Sequence, residues 1–211
     1  RLGFDLHEFE EILEIASKLK IKEFLLMSHL AASSIKDDKQ TLEQIEVFNN
    51  VTKNIRCRKS LANSGAVFNF PSSHHDIIRP GIAIYGGKYT EHGTKNVSSL
   101  SSRIMSIRPI KSGAKVGYDG TWVADKDCLI AAIPLGYGDG LPYFINPVTV
   151  TIKGKVFKTA GRANMDLLLI NLGQDDTVEI DDEVIIWDFD SDLSMLSDEF
   201  NAITYSLLAN I

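Results

Sequence analysis

Only two cysteines, Cys57 and Cys128, occur in the 211 residues, far apart and in apolar or mixed runs. That excludes a disulfide framework and points to a reducing compartment, so a cytoplasmic protein is expected. No apolar run approaches the roughly 18 residues that a membrane span needs, and no signal-peptide pattern opens the chain. Positive charge is in deficit, with 22 Lys and Arg against 28 Asp and Glu. The mildly acidic balance argues against a nucleic-acid surface. No Cys/His set has metal-ligand spacing, so no metal site is expected. GxSxG, Walker A and GxGxxG are all absent, as are internal repeats and low-complexity tracts. An initiating methionine is lacking too. The chain opens directly on RLGFDLHEFEE and stops at the apolar LLANI, whereas domain ends are usually polar and frayed. A piece of a longer protein is expected.

What is present is 44% hydrophobic and 24% charged, enough for a sizeable core in one large or two small domains. The first part alternates helix-like and strand-like segments. Leu6 to Leu19 carries apolar residues near a 3.6 period with acids between them, an amphipathic helix. Lys22 to His29 is a short apolar run, a buried strand. Asp37-Asp38 precede a second helix over Thr41 to Thr52. Cys57 to Ala62 is strand-like, Asn63-Ser64-Gly65 is a turn, and Ile77 to Tyr85 is a last strand interrupted at Pro80-Gly81. Repeated βα units imply parallel strands with right-handed crossovers, closed as a barrel or open as a doubly wound sheet. In both, function gathers at the C-terminal strand ends. His29, Ser64 and Arg79 fall there.

Around 86–98 the chain turns polar and glycine-containing, and a boundary is expected that leaves 1–97 as one domain and 98–211 as another. Strand candidates follow at Arg103 to Ile110, Val116 to Val123, Cys128 to Ile133, Val148 to Val156, Leu167 to Leu172 and Glu183 to Trp187. Gly, Asp, Asn or Pro turns separate them, the pattern of an all-β domain. Leu193 to Phe200 reads as one helix before Thr204 to Leu208.

Several groups could carry chemistry, each beside a plainer reading. In IPLGYGDGLP, Tyr137 stands between two glycines just after an apolar strand. It is either a working residue on a held loop or a tyrosine capping a hairpin. His29 is a ligand, an acid/base group or a hydrogen-bonded interior residue. Asn63-Ser64-Gly65 opens an anion site or an ordinary helix cap. Arg79 lies inside a hydrophobic run, where an unpaired charge is costly, and so needs a partner. Gly161 to Asp166 (GRANMD) is a turn before the apolar LLLINL. His74-His75 read as solvated loop residues.

Taken together and in order, RLG, SHLAAS, LANSGA, DIIRPGIAIYG, VGYDGTW, IPLGYGDG, GRANMD and ITYSLLANI resemble alanine racemase. The resemblance covers nearly the whole chain. It implies the C-terminal part of a (β/α)8 TIM-type barrel, α/β, followed by a β-strand-rich domain. It also implies pyridoxal 5'-phosphate as cofactor, a small amino-acid substrate and a homodimer with shared active sites. D-alanine for peptidoglycan would be the product. By the same resemblance Tyr137 is the catalytic tyrosine exchanging the α-proton on one face, working inside the other subunit's barrel. A lysine would serve the opposite face. Arg79 would donate to the cofactor's pyridine nitrogen, and His29 would link Arg79 to the partner's Tyr137. Ser64 with the backbone of Gly81 and Ile82 would hold the phosphate. Arg1 and the backbone N–H of Met165 would meet the substrate carboxylate, with Ile211 near the substrate entrance.

The sequence also departs from the family. The early lysine motif, K-A-(N/D)-A-Y-G after an apolar strand, has no match, and Lys39 in DDKQ is no substitute. Asn164 stands where many relatives carry Cys or Ser, and Ser34 replaces an acid often found near the entrance. These 211 residues alone are therefore not expected to racemise anything. The competing readings are a racemase of serine or of a broader set of amino acids, a non-catalytic binding or dimerisation relative, and a fold-related decarboxylase. An arginine beside the cofactor nitrogen argues against the last.

Overall fold

The structure, a computed structural model, describes residues 2–19, 21 and 23–211. Contacts divide the chain into two units, Arg1–Gly81 and Ile82–Ile211. The first thus ends ahead of the stretch at 86–98 where the sequence changes character.

In the first unit a 3-10 turn at Leu6–Glu8 leads into helix α1, Phe9–Lys18. Strand β1 is Leu25–Met27, helix α2 Lys39–Thr52, strand β2 Arg58–Asn63, helix α3 Ser64–Asn69 and strand β3 Ile77–Arg79. The strands lie in the order β1-β2-β3 and both pairings are parallel. Parallel neighbours need a crossover, which α2 and α3 supply. Asp38 starts α2, accepting from the Thr41 backbone N–H at 2.8 Å and from its hydroxyl at 2.9 Å. Of the pair Asp37-Asp38, Asp38 is therefore the cap. Leu30, Leu61 and Ala62 pack with Ile45 and Phe48 of α2, Ala66 of α3 and Phe70 just beyond it. β1 is an edge strand, and α1 buries no side chain although its apolar period is as expected. A cleft of about 480 Å³, lined by Phe4, Phe9, Leu26, Val47 and Phe48 among others, opens there.

Two expected strands prove shorter. The run to His29 pairs only over Leu25–Met27, and the strand expected through Tyr85 stops at Arg79. Pro80 has no N–H for a ladder. The following residues turn instead, with Tyr85 donating to the Ile82 carbonyl at 3.2 Å.

The second unit is antiparallel. Its strands are β4 Leu100–Arg103, β5 Ser106–Ile110, β6 Lys115–Val116, β7 Trp122–Val123, β8 Cys128–Ile133, β9 Thr149–Ile152, β10 Lys155–Thr159, β11 Leu168–Gly173 and β12 Glu183–Trp187. Seven form one sheet in the order β4-β12-β9-β10-β11-β8-β5, while β6 and β7 pair separately. The two outermost strands are consecutive in the chain, joined by Ile104 and Met105 alone. Ile104 N–H donates to the Asp182 carbonyl at 3.0 Å and Met105 N–H to the Ala132 carbonyl at 2.9 Å. A single bent segment thus supplies the edge strand at both ends of the sheet and draws those two ends together, with no ladder between β4 and β5 themselves among the described residues. Alternating residues such as Ile133, Val150, Ile152, Leu168, Ile170 and Val184 fill the interior. Helices α4, Leu193–Glu199, and α5, Thr204–Ala209, add Leu193, Leu196 and Leu207.

Three strands expected as single runs are each broken. Arg103 to Ile110 bends at Ile104-Met105. Val116 to Val123 is a hairpin around the 3-10 turn Tyr118–Gly120. Val148 to Val156 is a hairpin whose two turn residues, Lys153 and Gly154, both have positive φ, as two-residue β-turn geometry demands. Among the described residues no helix is long and apolar enough to cross a membrane.

Candidate active site

Because β1, β2 and β3 run parallel, their C-terminal ends share one edge of the sheet. His29 follows β1 by one residue, Ser64 follows β2 directly, and Arg79 ends β3. The structure therefore brings together, at one edge, three of the residues singled out from sequence. Arg79 is anchored from behind: one guanidinium nitrogen donates to the Ser60 hydroxyl and another to the Ser28 carbonyl at 2.6 Å. The Ser60 hydroxyl in turn donates to the Ile77 carbonyl at 2.8 Å. Among the described residues no ion pair includes Arg79, so neutral oxygens fix the cation without cancelling it. Burial pulls its pKa below the ordinary arginine value. An arginine nevertheless keeps its proton in proteins.

Asn63, expected as a turn residue that caps a helix or opens an anion site, does cap α3 and also joins the strand ends. Its side-chain oxygen caps α3 at the Ala66 N–H (3.2 Å) and accepts from the Ser33 hydroxyl at 2.5 Å. Its amide donates to the Leu30 carbonyl at 3.2 Å and stands 3.5 Å from His29 Nε2. The cap follows from Asn standing before Ser-Gly, whereas the bonds to Ser33 and Leu30 cross 30 and 33 residues and leave no local pattern. The Ser64 hydroxyl accepts from the Gly81 N–H at 2.8 Å. Nothing lies within 4 Å of where a Cβ on Gly81 would stand, so the backbone is open there. Ile82, the next residue, begins the second unit and is buried. Arg1 lies outside the described residues.

In the second unit Tyr137 opens a 3-10 turn, Tyr137–Asp139, closed by the Asp139 carboxylate on the Gly136 N–H at 2.8 Å. Tyr137 N–H donates to the Asn164 carbonyl (3.0 Å) and Gly138 N–H to the Met165 carbonyl (2.7 Å). A Cβ on Gly136 would stand 2.4 Å from both the Asn164 and Met165 oxygens. The glycines beside Tyr137 thus make room for a neighbouring backbone. Gly136→Ala should push the two loops apart, costing about 1–3 kcal/mol. Chemical denaturation, with faster hydrogen exchange over 161–166, is the check. Among the described residues the Met165 N–H has no hydrogen-bond partner, and its side chain is exposed.

A second tyrosine escaped the sequence reading. Tyr118, also between glycines in VGYDG, is 72% exposed, whereas Tyr137 is 45% exposed and meets the Tyr143 ring edge-on at 5.8 Å. Next to it Asp119 accepts from Arg162 at 2.5 Å. Gly161 packs against Gly117, with a virtual Cβ on Gly117 3.6 Å from the Gly161 Cα. The loops bearing Tyr118, Tyr137 and Met165 are therefore neighbours. The matching glycine-flanked pattern was the missed signal. Among the described residues no group of three or more His, Cys, Asp or Glu is arranged for a metal ion.

Comparison with known proteins adds the family. The alanine racemase N-terminal domain matches residues 1–89 and the alanine racemase C-terminal domain residues 97–211. The chain belongs to the alanine racemase family. It is 35% identical to the alanine racemase of Shewanella denitrificans, an alignment covering 100% of this chain and 61% of that protein. Among solved structures, the biosynthetic alanine racemase of Pseudomonas aeruginosa superposes with a TM-score of 0.89 at 30% identity, over 100% of this chain and 61% of that one. The alanine racemase of Bartonella henselae, solved with covalently bound pyridoxal phosphate, gives 0.87 at 28%, over 99% of this chain and 60% of that one. The chain thus spans about three fifths of the length of these family members.

Proposed function

We propose that the protein of which this chain forms part interconverts L- and D-alanine with pyridoxal 5'-phosphate, as a homodimer that supplies D-alanine for peptidoglycan. The observation that carries this reading is Arg79, a cation fixed by two neutral oxygens at the strand edge that also holds His29 and Ser64. The three short parallel strands belong, in this reading, to a (β/α)8 barrel, and the free edge of β1 is where the barrel continues.

The donor set fits the cofactor. Ser64 and Gly81 offer a hydroxyl and an open backbone for a phosphate, with the Ile82 amide beside them in the chain. Arg79 offers a hydrogen bond to the ring nitrogen. A guanidinium keeps its proton, so that nitrogen is met by a donor that does not protonate it. This limits electron withdrawal and with it side reactions such as transamination. When bound, the cofactor delocalises charge from the substrate's α-carbon and so acidifies its proton.

Racemisation needs a base on one face of the α-carbon and an acid on the other. On this chain a tyrosine supplies one of them, and a phenol of ordinary pKa about 10 needs electrostatic help to do so. The family resemblance nominates Tyr137. Exposure favours Tyr118 as the phenol that reaches into a second copy, with Tyr137 lining the pocket wall. The unpaired Met165 N–H suits the substrate carboxylate. Exposed Tyr118, Met165 and Ile211 make a surface that a second subunit would cover.

The test is a racemisation assay on the full-length protein with L-alanine and L-serine, with and without added pyridoxal phosphate. Cofactor-dependent conversion with kcat/KM higher for alanine is expected. Conversion of serine alone moves the substrate to the competing assignment, and no conversion of either overturns the reading.

A further inference from the structure

Asp119 occupies a backbone position that suits glycine better. Its φ is +58°, in the left-handed region that costs most side chains about 1–2 kcal/mol, less for Asp and Asn. What the side chain does there is bind Arg162. The Arg162 Nη1 to Asp119 Oδ2 distance is 2.5 Å, and the side chains are 30% and 69% exposed. Arg162 Nε is buried and has no partner among the described residues. Asp119 is therefore the one polar group holding the guanidinium in place among those residues.

Arg162 sits at the base of the loop that ends in Met165. On one flank that loop is tied to the Tyr137 turn by the two backbone bonds described above, and to the segment after that turn by Ala163 N–H donating to the Phe144 carbonyl at 3.1 Å. On the flank toward Tyr118 the polar tie is the Asp119–Arg162 pair. An ion pair this exposed adds little to stability, about 0–1 kcal/mol. A left-handed aspartate is a poor way to gain so little. Its consequence is positional.

We propose that Asp119 and Arg162 are a positioning pair, setting the spacing between Tyr118 and the unpaired Met165 N–H. It rests on the reading of this loop cluster as the part of a racemase that handles the substrate. A base and a carboxylate donor acting on one small amino acid must be held at fixed separation, because misplacement by about 1 Å costs up to about a hundredfold in rate. The pair fixes it electrostatically, so the spacing responds to ionic strength.

The test is Asp119→Gly in the full-length holoenzyme, with Asp119→Asn as the variant that keeps a side chain tolerant of this backbone. Three quantities are read: thermal midpoint, hydrogen exchange over 117–120 and 161–166, and kcat and KM for alanine across ionic strength. Glycine relieves the backbone, so the midpoint should hold or rise. Exchange in both segments should nevertheless speed up at least about threefold, and kcat should fall about tenfold, KM changing less. The wild type's loss of kcat at high salt should disappear in both variants. A merely structural aspartate would give a stability change without the exchange and salt effects, and that result overturns the proposal. The exchange readout does not depend on racemisation: unchanged exchange sinks the positioning pair, whereas faster exchange in a protein that racemises nothing sinks the functional reading and leaves the pair standing.

Discussion

Arg79→Glu in the full-length protein should lower kcat for alanine racemisation by about a hundred- to a thousandfold. The size follows from what a preorganised donor is worth in a water-excluded site, here with its charge reversed. Ser60 and the Ser28 carbonyl hold Arg79 from behind, so the wild-type site does not reorganise to present it. A glutamate offers those two oxygens no donor when ionised, and when protonated it hands the ring nitrogen a mobile proton. Two effects should therefore appear together. Racemisation falls, and side products of the transamination type rise, because a protonated ring nitrogen withdraws more charge. Product analysis by chiral chromatography, with pyruvate formation followed in parallel, reads both. Arg79→Lys separates charge from geometry: it keeps the cation but not the planar fork, and should fall between wild type and Arg79→Glu. A variant Arg79→Glu that racemises within threefold of wild type removes Arg79 from the chemistry.

The second large effect concerns the two tyrosines. Tyr118→Phe should cost about 10²–10⁴ in kcat, the usual worth of a positioned acid or base, and more in the direction that uses the phenol as base. Tyr137→Phe keeps the ring that packs on Tyr143 and should chiefly raise KM. The same pair of variants assayed in both directions, with solvent deuterium incorporation at the α-carbon, tells them apart. A large loss in Tyr137→Phe and a small one in Tyr118→Phe returns the proton to Tyr137 and leaves Tyr118 at the rim.

Much of the site was legible in the sequence because parallel topology turns strand ends into neighbours. His29, Ser64 and Arg79 each follow an apolar run, and period and composition sufficed to place them on one edge. Arg79 was also legible as a cation in need of partners, though not that the partners would be neutral, because a serine hydroxyl and a backbone carbonyl 51 residues away leave no charge pattern. Strand ends were misread where the chain keeps its hydrophobicity but changes its backbone. Ile82 and Ile84 continue the apolar pattern after Arg79, yet Pro80 ends the pairing. Val148 to Val156 reads as one strand until Lys153-Gly154 is recognised as a two-residue turn. The role of Asp119 was illegible for a related reason. Its meaning lies in a left-handed backbone angle and in a partner 43 residues on, neither of which periodicity encodes.

The bent segment that bounds the β sheet at both ends has a consequence for synthesis. β4 pairs with β12, so Arg103 meets Glu183 and Leu100 meets Trp187. The first strand of the unit to leave the ribosome must wait for the last before its ladder is complete. Contacts this distant in sequence make for slow closure, since the loop entropy is lost before any pairing compensates for it. Until then β4 and the outer face of β9 carry unpaired backbone, the state in which growing chains associate with one another. The nascent chain is therefore most exposed to misassembly while the stretch from β9 to β12 is being made. That exposure ends in a single event, when β12 slots between β9 and β4 and joins the first strand of the unit to the rest of its sheet.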